Sequence, residues 1–268
     1  MQPVRASRAA NESPIIAVGT LRVPIERIEA TQAPGKHEYV ELRFEITQFL
    51  RGSAEASTDI RWYSEDRPYA PNRSDLIELN GKTVVAFLLR TGESTRHGIY
   101  FSGHTRDAVQ PAASEAVERI KAEIDRQRAL LAEYPAGLPE VPKSQLDLVR
   151  GLLDEPTVKG RAELAFERLL RLGKSGAPAM IALMDDRRNV AAEWLTVPNS
   201  PGHWEAQALY KPEKVVDAVD GILVKATGTG FVSIVYGESD ENRRATVDAW
   251  RIYLYHVQAG PTPDGEQR

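Results

Sequence analysis

The stretch VVDAVDGILVKATGTGFVSIVYGESDENRRATVDAWRIYLYH, residues 215–256, predicts two helices separated by a glycine-rich turn and a short extended run. Apolar residues recur in its first half at intervals of four, three and four, which places them on one helical face. These residues are Val215, Val219, Ile222 and Ala226. Gly228 and Gly230 end this first helix, because glycine adopts a left-handed backbone without a steric penalty.

The second helix of this stretch is predicted over residues 241–256. Ser239, Asp240 and Glu241 supply capping oxygens and negative charge at its N-terminus. Its apolar residues form two stripes, which are Ala245, Ala249, Ile252 and Tyr253 on one side and Val247, Trp250 and Leu254 on the other. A helix that is apolar on two sides is typically buried between neighbours. We therefore expect Trp250 to lie in a core.

The pattern A-T-G-T-G-F, followed after a turn by E-N-R-R-A-T-V-D-A-W-R, resembles the terminal module of bacterial HEAT-like helical-repeat proteins. Phe231 is the aromatic residue after the glycines, and Trp250 is the tryptophan late in the last helix. The resemblance implies a stacked, all-helical architecture and does not indicate a ligand.

An earlier helical pair is predicted at residues 161–172 and 177–186, after a short helix at 146–153. The sequence L-L-R-L-G-K-S-G-A-P-A-M-I-A-L-M-D-D at the junction is similar to the inter-helix corner of a HEAT repeat. One pair cannot bury its own apolar face, so we expect it to stack on the helices of residues 215–256.

The N-terminal part of the chain carries strand patterns. Residues 38–50, EYVELRFEITQFL, alternate between apolar and polar side chains, which predicts a strand with one buried face. Phe49 and Leu50 break the alternation and indicate a bulge. Residues 82–90, KTVVAFLLR, are almost continuously apolar and predict a central strand buried on both faces. Further strands are predicted at 14–23, 58–64 and 99–102.

Five strands with few helices between them predict a small antiparallel barrel or sandwich. The run I-I-A-V-G-T-L, followed by Y-V-E-L-R-F-E-I-T-Q-F-L-R-G, resembles the start of netrin-like and related OB-type barrels of exported bacterial proteins. That resemblance implies a β-barrel and adds protease inhibition to the functions to be considered.

The predicted fold class is α+β, with a five-stranded antiparallel barrel or sandwich followed by an all-helical HEAT-like module. We predict that an amphipathic helix at 113–134 closes the barrel and that the proline-rich YPAGLPEVP at 134–142 is a linker. We predict two domains, an OB- or netrin-like barrel with its closing helix at 14–134 and a HEAT-like helical module at 143–257.

Composition narrows the classes of partner. The chain is 42% hydrophobic and 27% charged, an ordinary globular balance, and no apolar run is long enough to span a membrane. A net charge of −4 does not favour nucleic acid. The absence of cysteine excludes disulfides, thiolate nucleophiles and cysteine-ligated metals. We expect neither a nucleic-acid partner nor membrane insertion.

The compartment has two interpretations. The first thirteen residues, MQPVRASRAANES, are polar and lack the apolar segment of a signal peptide. A polar leader before the first strand is typical of mature exported proteins, so we favour a periplasmic or secreted protein without its signal peptide. A cytoplasmic protein is the alternative.

Two aromatic stretches are candidates for binding a partner. Residues 62–69, WYSEDRPY, leave a barrel strand, and loops at strand ends often carry binding residues. Its candidates are Trp62, Tyr63, Arg67 and Tyr69. The long connection 189–212 carries Trp194 and Trp204, and a connection of this length is either functional or packed down by its own aromatic residues.

Catalytic signatures are weak throughout the sequence. A G-x-S-x-G nucleophile motif is absent, and the glycines of residues 228–230 lack the lysine of a phosphate-binding loop. His97 and His104 flank a short predicted strand, but no histidine pair has a zinc-ligand spacing. We therefore expect neither a metal nor another cofactor.

The function that we favour from the sequence is a non-enzymatic adaptor that binds another protein through the groove between its two halves. The alternative from another class is a metal- or carboxylate-dependent hydrolase at the barrel mouth, which would use Glu65, Asp66, His97 and His104. A netrin-like protease inhibitor is the third possibility, and it rests on the resemblance alone.

Overall fold

The computed structural model describes residues 10–11, 13–30, 39–63, 71–91, 98–101, 108–158, 160–198, 207–231 and 234–258. The chain divides into two compact units, Met1–Ala129 and Leu130–Arg268. A closed five-stranded barrel forms the first unit, and helices dominate the second. The predicted α+β class, with a barrel followed by helices, is therefore confirmed.

The barrel consists of β1 (Ile15–Arg22), β2 (Tyr39–Arg51), β3 (Ser57–Tyr63), β4 (Thr83–Thr91) and β5 (Gly98–Phe101). Their order is β1-β2-β3-β5-β4, and β1 also pairs with β4, which closes the sheet. β3 and β5 pair in parallel, whereas the other barrel neighbours are antiparallel. The closure leaves no free strand edge between these five strands, and the OB-type assignment stays a prediction.

Three short elements of the first unit were not predicted from the sequence. They are α1 (Ile25–Ala30), α2 (Arg73–Leu79) and β6 (Val109–Pro111), which pairs with β4. Each is too short to repeat its hydrophobic period several times, and such repeats are what make a helix or strand recognisable in a sequence.

The strands β1 and β4 are buried on both faces. Alternate residues of each strand fill the barrel interior, among them Ala17 and Ala86. The intervening residues Ile16, Val18, Val85 and Phe87 pack outside the barrel with Ile120 and Ile124 of α3 (Ser114–Glu133). The helix that covers this outer face explains why residues 82–90 are almost continuously apolar.

The pairing of β1 with β2 contains the irregularity that the sequence indicated. Ile16 pairs with Arg51 and Ala17 with Phe49, so the register shifts around Leu50. A second shift follows between Val18 and Gly19. A Cβ atom on Gly19 would lie 2.3 Å from the carbonyl oxygen of Glu45. Only glycine therefore allows the two backbones to approach this closely.

In the second unit, four helices share one apolar core: α4 (Lys143–Asp154), α5 (Ala162–Ala182), α6 (Val215–Thr227) and α7 (Asp240–Gln258). The core includes Leu153, Phe166, Met180 and Ile222. Trp250 is fully buried in it, and its ring meets the Phe231 ring edge-on with centroids 4.8 Å apart. The predicted burial of Trp250 is confirmed.

Helix α5 contains nearly all of the helix predicted at 161–172 and the first six residues of the one predicted at 177–186. Its backbone leaves the helical region at Gly173, where φ is 57° and ψ is −149°. The four-residue connection predicted at 173–176 is thus reduced to a break at one glycine. Gly176 lies inside the helix, where a Cβ atom would be 2.5 Å from the Leu172 Cβ.

The proline-rich residues 134–142, which were predicted to be a linker, belong to the second unit. Tyr134, Leu138 and Val141 pack against its apolar core, and the Tyr255 hydroxyl donates a hydrogen bond of 3.0 Å to the Ala136 carbonyl. The division between the units falls earlier, within α3. Independent folding of residues 14–134 and 143–257 stays a prediction.

Candidate functional site

A β-hairpin occupies part of the long connection predicted between residues 189 and 212. Its strands are β7 (Leu195–Pro198) and β8 (Gln207–Tyr210), with Leu195 opposite Tyr210 and Thr196 opposite Leu209. Residues directly opposite one another in an antiparallel pair share a face, and successive residues alternate between faces. The hairpin therefore has one face with Leu195 and Tyr210 and another with Thr196 and Leu209.

The second face of this hairpin is exposed and partly apolar. Trp194 is 42% exposed and Leu209 is 50% exposed. The ammonium of Lys211 lies 5.5 Å from the centroid of the Trp194 ring, a distance at which a cation is attracted to an aromatic face. We call the residues Trp194, Thr196, Leu209 and Lys211 the hairpin face.

Tyr236 extends the exposed surface beside the hairpin. The backbone N–H of Lys211 donates to the carbonyl of Val235 at 3.1 Å, which ties residues 234–236 to the end of β8. Tyr236 is 47% exposed, and its ring stands edge-on to that of Tyr210 with centroids 6.1 Å apart. Three large exposed side chains therefore belong to two connected segments of the second unit.

The inner face of the hairpin approaches α6 at Gly221. A Cβ atom at this position would lie 3.1 Å from both Tyr210 Cε2 and Val235 Cγ1. Because real Cβ contacts are rarely this short, the glycine provides the space in which the Tyr210 ring and Val235 contact the helix. Leu195, on the same side of the hairpin, is buried in the core of the second unit. The hairpin face is therefore the outer side of a hairpin whose inner side packs against α6 and the core of the second unit.

A buried ion pair fixes the start of α6 against α7. The guanidinium of Arg243 donates to both carboxylate oxygens of Asp217, from Nε at 2.7 Å and from Nη2 at 2.9 Å. It also donates to Glu213 at 3.1 Å. Burial acts to lower the pKa of Arg243, but the hydrogen bonds and charges of Asp217 and Glu213 outweigh it and raise that pKa. The Arg243 guanidinium therefore stays charged where it contacts Asp217.

A second carboxyl group, that of Asp220, is completely buried one turn along α6. Its Oδ1 accepts a hydrogen bond of 2.8 Å from the Trp250 indole, and its Oδ2 accepts one of 3.4 Å from the Ile234 backbone N–H. Loss of hydration raises the pKa of Asp220 to about 7, against the lowering effect of these two hydrogen bonds. The negative charge of Asp217 adds to the increase.

The residues predicted to bind a partner are placed differently from one another. Trp62 is only 4% exposed, lies in the barrel core and donates from Nε1 to the Pro71 carbonyl at 2.9 Å. It therefore packs the barrel and cannot contact a partner unless the barrel unpacks. Trp194 is exposed on the hairpin face. Tyr63 ends β3, and Arg67, Tyr69 and Trp204 lie outside the described residues.

The residues of the hydrolase alternative also lie outside the described part of the chain: Glu65, Asp66, His97 and His104. Within the described ranges, no group of three or more histidine, aspartate or glutamate side chains is arranged to hold a metal ion. None of the helices that the structure describes combines the length and hydrophobicity needed to cross a membrane.

The outer face of β2 and β3 carries cross-strand charge pairs. Arg43 Nη1 lies 3.1 Å from Asp59, and Arg61 Nε lies 3.6 Å from Glu41. The guanidinium of Arg61 also lies 4.8 Å from the centroid of the Tyr39 ring. This face of the barrel therefore presents charges of both signs.

Sequence reasoning missed Leu209, Lys211 and Tyr236 as surface residues and Asp220 as a buried acid. The signal that indicates a hairpin is the pair of apolar runs W-L-T-V at 194–197 and A-L-Y at 208–210, with the turn-forming residues P-N-S-P-G at 198–202 between them. Gly221, isolated within a helical pattern, is the signal of a close approach to that helix.

Comparison of the chain with protein-family models, with curated proteins and with solved structures gives no match.

Proposed function

We propose that this protein is a non-enzymatic adaptor that binds another protein through the hairpin face. The observation that carries the proposal is the exposure of Trp194 and Leu209 on one side of a hairpin whose other side is buried in a core. A contact through the predicted groove between the two halves stays a prediction, as does the periplasmic or extracellular location, with the cytoplasm as the alternative.

The chemistry of the hairpin face suits a protein partner. Tryptophan is enriched among the residues that contribute most to protein–protein binding, because one side chain buries a large area at small entropic cost. Lys211 neighbours the Trp194 ring and adds a polar edge. The packing of Tyr210 against Gly221 fixes the support, so that little ordering is required when a partner binds.

The buried cluster of charged residues in the second unit is better suited to a structural role than to catalysis. Asp217, Asp220 and Arg243 are all buried in the described structure, and a catalytic group must reach its substrate. Nor does the mixed charge of the β2–β3 face favour nucleic acid, whose phosphates call for a positive surface. These observations support a binding protein and leave the hairpin face as its candidate surface.

The proposal can be tested by affinity capture with the full-length protein and matched surface variants. In the double variant Trp194→Ser, Leu209→Ser the hairpin face loses both large apolar groups. The control variant Leu164→Ser, Leu148→Ser removes two leucines of α5 and α4 that are 51% and 50% exposed. Circular dichroism melts establish that all three proteins are folded before capture from a cell lysate.

We expect at least one protein that is retained by the parent and by the α4–α5 control but lost by the hairpin variant. That interaction is then measured between purified components, where the hairpin variant should bind at least about tenfold more weakly, as expected when a central aromatic contact is removed. If every retained protein binds the hairpin variant as well as the parent, the hairpin face is not the binding surface.

A further inference from the structure

Asp220 joins three segments of the second unit. It lies on α6, accepts one hydrogen bond from Trp250 of α7 and accepts another from the backbone of Ile234. The segment that contains Ile234 continues to Val235, which is bonded to Lys211 of the hairpin face, and to the exposed Tyr236. A change in the protonation state of Asp220 therefore affects the packing of residues 234–236, which lie beside the proposed binding surface.

The surroundings of Asp220 do not neutralise a negative charge. Both of its hydrogen-bond donors are uncharged groups, and the nearby Arg243 binds Asp217 through both carboxylate oxygens. Asp217 on α6 adds negative charge, and burial raises the pKa of the Tyr210 phenol on β8, which lies edge-on to the Tyr236 ring. The α5 residues in the same core, among them Phe166 and Leu169, are apolar.

We propose that Asp220 is a proton-dependent latch, which in its neutral form holds α7 and residues 234–236 against α6 and in its ionised form loosens them. The latch itself stands on the geometry of Asp220. Its consequence for binding rests on the proposed function, because it concerns the presentation of the hairpin face and Tyr236.

The direction of the effect follows from the two protonation states. The pKa of Asp220 is raised from 3.8 to about 7 in the folded protein, so the folded state holds this proton more tightly than the unfolded state does. The stabilising effect is complete below the unfolded pKa and is lost as the pH rises through the folded pKa. Local opening, which hydrates the carboxylate, therefore becomes easier from slightly acidic to slightly alkaline pH.

The first test is denaturant unfolding of the full-length protein between about pH 5 and about pH 8.5. In Asp220→Asn the side chain is neutral at every pH and keeps a carbonyl oxygen that accepts from Trp250. The control is Asp147→Asn, which replaces an exposed aspartate of α4 in the same unit. All titrating groups other than Asp220 and Asp147 are the same in the three proteins, so their contribution to the pH dependence of stability is shared.

We expect the folding equilibrium constant of the parent and of the Asp147→Asn control to fall about tenfold per pH unit between about pH 5 and pH 6.5 and to level off above about pH 7. In Asp220→Asn this component should be missing. An identical pH dependence in Asp220→Asn and in the parent would overturn the proposal.

A second measurement keeps the proposal testable if Asp220→Asn does not fold. Carboxyl-carbon NMR of the parent protein follows the Asp220 resonance directly, and we expect its titration midpoint near 7. A midpoint near the ordinary value of 3.8 would show that the latch does not exist.

The coupling to the hairpin is measured without a partner, through hydrogen exchange of the Lys211 amide. This amide donates to the Val235 carbonyl, so its protection reports whether residues 234–236 stay on the hairpin. After correction for the intrinsic exchange rate, protection should fall about tenfold between about pH 6 and about pH 8 in the parent and stay constant in Asp220→Asn. Constant protection in both would refute the latch, whereas failure of the capture experiment alone would refute the proposed function.

Discussion

At the scale of single residues, the two buried carboxyl groups of α6 differ in whether a cation binds them. Asp217 has a guanidinium partner and the backbone N–H groups of Glu213 and Lys214, so its charge is compensated. Asp220, on the next turn, has two neutral donors and no cation bonded to it in the described structure. Burial raises the pKa of the second group, Asp220, whereas the first lies against the guanidinium of Arg243.

Trp250 provides the residue-scale test of the core. Its replacement in Trp250→Ala removes a fully buried ring and leaves Asp220 without its indole donor. We expect a loss of roughly 3–5 kcal/mol in the free energy of unfolding, measured with urea.

The matched control is Trp194→Ala, which removes a tryptophan that is 42% exposed and contacts Lys211. It should cost no more than about 1 kcal/mol, because the exposed ring contributes little packing. Equal losses in the two variants would show that Trp250 does not have the core position described.

At the scale of secondary structure, glycines decide where elements bend and approach. Gly19 brings β1 and β2 together, Gly221 admits Tyr210 onto α6, and Gly173 breaks α5 through a positive φ. Glycine loses more backbone conformational entropy on folding than other residues do, and at these three positions a steric or backbone requirement explains its presence. At Gly151 of α4 there is no such requirement, since no heavy atom lies within 4 Å of a Cβ placed there.

Alanine substitutions at Gly151 and Gly173 should therefore have opposite effects. We expect Gly151→Ala to stabilise the protein by about 0.5–1 kcal/mol, because alanine favours the helix. Gly173→Ala should destabilise it by about 1–2 kcal/mol, because a side chain at φ 57° is strained. Thermal or urea unfolding of both variants measures the effects, and stabilisation by Gly173→Ala would mean that α5 is not broken there.

At the scale of the whole molecule, the two units have separate apolar cores. The barrel interior and the contact of α3 with β1 and β4 belong to the first unit, and the core around Trp250 belongs to the second. Every core cluster of the described residues that includes a barrel strand ends before residue 130. The barrel with its closing helix therefore has the contacts that an independent domain requires.

A fragment of residues 1–134 should fold by itself. It retains the five barrel strands and the whole of α3, whose Ile120 and Ile124 cover the outer face of the barrel. We expect a dispersed amide spectrum and a cooperative thermal transition. A spectrum of a disordered chain would show that the barrel requires the helical unit, and a fragment of residues 143–257 provides the reciprocal experiment.

The elements with strong local periodicity could be predicted from the sequence alone. The alternation in residues 38–50, the continuously apolar 82–90 and the two stripes of residues 241–256 correspond to β2, β4 and α7. Burial of Trp250 followed from its place on an apolar stripe. Local patterns suffice here because each helix or strand repeats its period several times within its own length.

Only the tertiary structure decided which partners these elements meet. The closure of β1 on β4, the Asp217–Arg243 pair across 26 residues and the Trp250–Asp220 hydrogen bond across 30 join segments that no local pattern relates. The same holds for exposure: Trp62 and Trp194 each follow a charged residue in the sequence, yet the first fills the barrel and the second lies on the hairpin face. The physical reason is that burial depends on what packs against a residue from elsewhere in the chain, whereas periodicity describes only its immediate neighbours.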